Sequence, residues 1–149
     1  MDYDFTKPGN YPRSGRETLA GIAFLPRTID KMRAYLNGTH GEYVVERGLS
    51  SRVYNLFGIT WEQFRDAVRQ SPTDEDVLQW LRRHAPKQPS PEEIEAHNRA
   101  ILTAGPQTDE ARARFRANLE RLGFGDRTDV TTFVDSEDLE EGREVPRRA

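Results

Sequence analysis

Residues 11–36 read YPRSGRETLAGIAFLPRTIDKMRAYL, and the fold depends on how this stretch divides. Ser14-x-x-Glu17 has the form of a capping box, in which the serine hydroxyl accepts an amide three residues on and the glutamate reaches back. A helix is therefore expected from Ser14, with Leu19, Ile22 and Ala23 on its apolar face and Gly21 as its weak point. Pro26 disfavours helical geometry at Leu25 and suits the first turn of a second helix. Leu25, Ile29, Met32 and Leu36 recur at helical spacing, and Asn37-Gly38 forms a C-cap. Arg27, Asp30 and Lys31 then share the opposite face of that second helix, within i, i+3 and i, i+4 reach.

On the N-terminal side, Pro8, Gly9 and Pro12 leave residues 1–12 without periodicity. Tyr3, Phe5 and Tyr11 alternate with polar residues, as in an extended strap laid along the body. On the C-terminal side, residues 39–49 (THGEYVVERGL) read as a loop or small hairpin. Ser50 or Ser51 can cap a short helix that bears Val53, Leu56 and Phe57 and ends at Gly58. Thr60-x-x-Gln63 is a second capping box, and Ile59 with Phe64 forms a hydrophobic staple. Thr73 caps a helix whose first turn holds Asp74, Glu75 and Asp76, favourable at the positive end of the dipole. Ser90-Pro91-Glu92-Glu93 opens another helix, and a last one runs from Thr108 to Leu122, with Gly123 and Phe124 set for a Schellman ending. Trp61 and Trp80 fall at core spacing. After Gly125 the chain turns acidic, and disorder is expected beyond Ser136.

These elements predict an all-α fold: a compact bundle of about six helices with an extended N-terminal strap and an acidic C-terminal tail. Residues 1–125 form one helical domain and residues 126–149 a tail, partly disordered or docked. A length of 149 residues suits one domain. Hydrophobic residues make up 35% and charged residues 32%, which implies much solvated surface. With no cysteine, disulfides and thiolate chemistry are excluded, and a reducing compartment fits. No apolar run approaches the roughly 18 residues of a membrane span. A soluble, cytoplasmic protein is expected.

The net charge of −3 conceals an asymmetry. Lys7 to Arg33 hold six basic residues against Glu17 and Asp30, whereas Asp135 to Glu144 hold six acidic residues against Arg143. Segments of opposite sign can attract each other, the acidic one folding back on the basic face within one chain or between protomers as a regulatory cover, or each can find a partner.

The blocks PRSGRETLAG (Pro12–Gly21), LPRTIDKMRA (Leu25–Ala34) and GTHGEY (Gly38–Tyr43) resemble the signature of a family of small bacterial proteins catalogued only as a domain of unknown function. Echoes follow in TDEDVLQWL at Thr73–Leu81 and SPEEIEAHN at Ser90–Asn98. The resemblance spans roughly residues 11–102 and departs at His97, where the family pattern has an aromatic. It implies a compact, mainly helical bacterial protein and brings no activity or cofactor with it.

Two functional readings follow from the residues. Arg13, Arg16, Arg27, Asp30 and Lys31, with Arg33, form an anion-binding basic face, because guanidinium forks recognise carboxylates and phosphates bidentately. A non-catalytic binding or interaction module would use that face for an anionic small molecule or an acidic protein segment. The alternative is an enzyme in which Asp30, Lys31, His40, Glu42 and Tyr43 act as acid–base groups around an arginine-held substrate. The structural alternative to both is a salt-bridge network between the first two helices. Nucleic-acid binding has the overall charge balance against it. His40, His84 and His97 lack ligand spacing, and no phosphate loop, dinucleotide fingerprint or nucleophile elbow is present, so no metal or cofactor is implied.

Overall fold

The dipeptide Ala20-Gly21 turns the chain back on itself. A computed structural model describes residues 2–148. Thr18–Leu19 (β1) and Ile22–Ala23 (β2) pair antiparallel, Leu19 opposite Ile22 and Thr18 opposite Ala23. Both turn residues have positive φ, 52° at Ala20 and 77° at Gly21, as a two-residue hairpin loop with the twist of its strands requires. The helix expected from Ser14 is thus a hairpin, and the fold is mainly helical rather than all-α. The Ser14/Glu17 motif is still used. Ser14 N–H donates to Glu17 Oε2 at 3.2 Å and Glu17 N–H donates to Ser14 O at 3.1 Å. Those bonds close a single turn, because a helix onward would bury Gly21 in its interior, where its backbone entropy is costly.

Seven helices follow among the described residues: α1 (Leu25–Leu36), α2 (Ser50–Phe57), α3 (Trp61–Arg69), α4 (Asp74–His84), α5 (Pro91–Thr103), α6 (Asp109–Arg121) and α7 (Phe133–Glu140). Their boundaries follow local chemistry. Thr60 with Gln63 and Thr73 with Asp76 form complete capping boxes, and Ser90 with Glu93 makes the same reciprocal pair. Schellman bonds end α1 (Gly38 N–H to Tyr35 O, 3.0 Å; Thr39 N–H to Ala34 O, 2.8 Å) and α6 (Phe124 N–H to Leu119 O, 2.7 Å). Ser50 does not cap α2, whose N-cap is Leu49 without a side-chain bond. Trp61 and Trp80 are half-buried rather than core residues. Trp61 packs on Tyr35 and Arg65, and Trp80 packs on His84. Among the described residues, no helix is long and apolar enough to cross a membrane.

The chain forms two compact units, Met1–Ile101 and Leu102–Ala149. In the first, α1 packs against β1, α2 and α3, and α3 packs against α2 and α4. Every residue of α1 from Leu25 to Met32 is buried, as is Ala34. The face expected to carry Arg27, Asp30 and Lys31 in solvent is therefore buried as well. The N-terminal strap docks on the loop after α1, with Phe5 N–H donating to Thr39 O at 2.9 Å and the Phe5 ring edge-on to Tyr43.

At the pair Thr18–Ala23, the β2 peptide groups point away from β1. Two neighbours on α5 take them up. Asn98 Oδ1 accepts from Ala23 N–H at 2.8 Å, and Asn98 Nδ2 donates to Gly21 O at 2.8 Å. His97 Nε2–H donates to Ala23 O at 2.9 Å. The Asn98 carboxamide stands in for the peptide group of a missing third strand.

In the second unit, Phe115 and Leu119 of α6 pack with Val130, with Leu139 of α7 and with Val145. The disorder expected after Ser136 is not found, since α7 continues to Glu140 and Val145 is buried. Arginines replace regular backbone pairing here. Arg116 donates to the carbonyls of Arg127 and Val130. Arg127 grips Asp129 and donates to Val145 O at 2.8 Å. Gly105 is required by close packing, because a Cβ there would lie 2.3 Å from Thr131 O.

Replacing Asn98 by Ala leaves the buried Ala23 amide without its partner, a loss of about 1–3 kcal/mol. Urea denaturation should show that loss as a lower midpoint at unchanged slope. Burial lowers the His97 pKa more than its bond to Ala23 raises it. The folded state therefore favours the neutral ring. Stability should be full above the ordinary value of 6.5 and should fall as pH drops through and below it. His97→Gln should flatten that part of the pH profile of the urea midpoint.

Candidate functional site

Asp30 lies in the buried part of α1 with its side chain only 1% exposed, so its charge must be matched inside the protein. Arg13 matches it. The Arg13 backbone N–H donates to Asp30 Oδ2 at 2.8 Å, Nε donates to the same oxygen at 3.0 Å, and Nη2 donates to Oδ1 at 2.9 Å. The outer edge of the same guanidinium holds Asp74, the first residue of α4, through Nη1 at 2.8 Å and Nη2 at 3.2 Å. Burial disfavours the Arg13 cation, but the hydrogen bonds it donates to Asp74 and Asp30 outweigh it and hold the pKa above its ordinary value. Both guanidinium forks are filled by protein carboxylates. Arg13 thus ties the strap, α1 and α4 together and has no fork left for a ligand.

The other expected site residues divide into groups. Arg27 is 1% exposed; its Nη1 donates to Arg13 O at 3.1 Å, and its guanidinium lies over the rings of Phe24 and Tyr43. Lys31 Nζ donates to Ser50 Oγ at 3.0 Å, and Ser50 lies 3.2 Å from Thr28 Oγ1. Ser50 is therefore a buried partner of Lys31. Arg16 and Glu42 are exposed. The His40 ring packs on Tyr35, with its Nδ1 buried and without a hydrogen-bond partner among the described residues. The structure brings Arg13 to Asp30, Arg27 to Tyr43 and Lys31 to Ser50, and leaves Arg16 and Glu42 at the surface.

Arg33, one turn after Asp30, is placed differently. An i, i+3 ion pair with Asp30 would be natural, but Arg13 already holds both oxygens of that carboxylate. Arg33 lies over the Tyr3 ring at 5.9 Å, and its Nη2 is buried with no hydrogen-bond partner among the described residues. It lines a cleft of about 440 Å³ together with Tyr3, Arg13, Asp30, Pro72, Thr73, Asp74 and Glu75, within the size range of small-molecule sites. A second cleft of about 390 Å³ includes His97, whose Nε2 is committed to Ala23. Among the described residues, no group of three or more His, Asp or Glu side chains could hold a metal ion.

Residues 9–143 match the family model described as a domain of unknown function (DUF5069). The chain belongs to that family. No curated protein matches it. The DUF5069 match extends past the resemblance at residues 11–102, through α6 and α7. Arg13, Asp30, Arg33 and the Thr73–Glu75 turn lie inside the DUF5069 region, whereas Tyr3 precedes it.

Three cleft residues other than the strap's Tyr3 were read in the sequence only as helix-start chemistry, namely Thr73, Asp74 and Glu75. The bond from Arg13 to Asp74 spans 61 positions, and no local pattern announces it. Arg13→Lys keeps the charge but loses the double fork. It should cost about 1.5–3 kcal/mol, as for hydrogen bonds lost at a charged group, read as a lower urea midpoint. Arg16→Lys, at an exposed position, should leave that midpoint unchanged.

Proposed function

We propose that this protein is a non-catalytic binding module for a small molecule carrying an acid group, which Arg33 receives in the cleft lined by Tyr3 and the start of α4. One observation carries the reading: Arg33 Nη2 is buried beside a cleft and has no hydrogen-bond partner among the described residues. A guanidinium nitrogen in that state loses on the order of 1–3 kcal/mol, which a ligand carboxylate or phosphate would recover through a charge-assisted bond. A concave site of small-molecule size favours a small ligand over an acidic protein segment. Asp30 is locked against Arg13 and Glu42 is exposed, so binding stands ahead of acid–base catalysis around these residues.

Titration of the full chain with acetate, benzoate and inorganic phosphate, followed by amide NMR shifts, tests the reading. Saturable shifts at Arg33, Thr73 and Glu75 are expected for at least one of them. Arg33→Gln should weaken that binding at least tenfold and leave the thermal midpoint within about 2 °C, because no ion pair is removed. Absence of saturation, or binding indifferent to the substitution, would overturn the proposal.

A further inference from the structure

The lining of the Arg33 cleft goes beyond anion recognition. Its walls hold three carboxylates, Asp30, Asp74 and Glu75, against two guanidiniums, Arg13 and Arg33. Arg13 is fully engaged with Asp30 and Asp74. After that internal pairing, one cation and one anion remain, Arg33 and Glu75. No ion pair joins the two among the described residues. Glu75 reaches only Arg82, at 3.7 Å, in a pair more than half exposed on both sides, the kind of contact that contributes little and is readily exchanged.

We infer that the cleft takes a zwitterion, a molecule with an acid group for Arg33 and an ammonium group for Glu75, such as an amino acid. This rests on the reading that Arg33 receives an acid group, and it specifies the other end of the ligand. A purely anionic ligand of two or more charges would bring its second charge toward the carboxylates of Glu75 and Asp74, an unfavourable like-charge approach. A zwitterion leaves the local charge unchanged, gives Arg33 its complement and offers Glu75 an ammonium in exchange for its exposed contact with Arg82. With no ion pair joining Arg33 and Glu75 on the shared wall, the ligand bridges them, and the spacing of its two charged ends becomes the basis of selection. The Tyr3 ring and Pro72, also on the wall, suit the methylene stem between those ends.

The test uses the full chain and a molecular ruler: glycine, 4-aminobutyrate and 6-aminohexanoate, each beside its N-acetyl form, titrated by calorimetry and amide NMR. At least one amino acid should saturate the cleft, with its N-acetyl form at least tenfold weaker. Glu75→Gln should abolish that difference, and Arg33→Gln should weaken both forms. If the N-acetyl forms bind wild type as tightly as the amino acids and Arg33→Gln still weakens them, the ammonium arm is wrong and the acid-group reading survives. If none of the six saturates while acetate, benzoate or phosphate does, the zwitterion inference alone fails. If none of the nine compounds saturates, both fail.

Discussion

A buried carboxylate on a central helix organises the first unit. Asp30 is placed on α1 in a stretch with no solvent-facing side, and an isolated charge there would be untenable. Arg13 resolves the problem from outside the helix, and in doing so it fixes the course of the strap before the hairpin. Because the same guanidinium also holds Asp74, the start of α4 is registered against α1 through one side chain. Arg27 is drawn into this arrangement through the Arg13 carbonyl and two aromatic faces. Charges that look like a binding surface when counted along the chain are, for the most part, internal fasteners.

That accounting is also what isolates Arg33. Its natural partner one turn earlier is already taken, so it is left at a cleft wall with a ring for company and a nitrogen unmatched. The same exclusion leaves Glu75, whose neighbour Asp74 is claimed by Arg13. The open nitrogen of Arg33 and the loose pairing of Glu75 with Arg82 stand beside one strong local interaction rather than in a recognisable motif.

This explains which features could be read from the residues. Periodicity and cap chemistry located α1, α3, α4, α5 and α6 closely, because those signals act within four residues. The hairpin was misread because Ser14 and Glu17 make nearly the same hydrogen bonds in a single turn as at a helix start. The decision lay with Ala20-Gly21 and with partners on α5, 75 positions away. Ser50 looked like a cap and serves Lys31 instead. The order of residues after Ser136 is not legible in the composition, because the acidity there is offset by arginines close to it in the fold, such as Arg148 with Asp135 and Arg143 with Asp138. Within the charged cluster, composition identified the residues, but only the long-range pairing separates Arg33 from the rest.

The carboxamide of Asn98 has a consequence for the behaviour of the protein in company. A two-stranded ribbon with a free outer edge is a template on which another chain can add a strand, the first step toward aggregation. Here the outward peptide groups of β2 are closed by an asparagine and a histidine from a helix, side chains that cannot themselves extend a ladder. The hairpin is terminated chemically along β2, and that edge offers no open ladder to a strand from another chain.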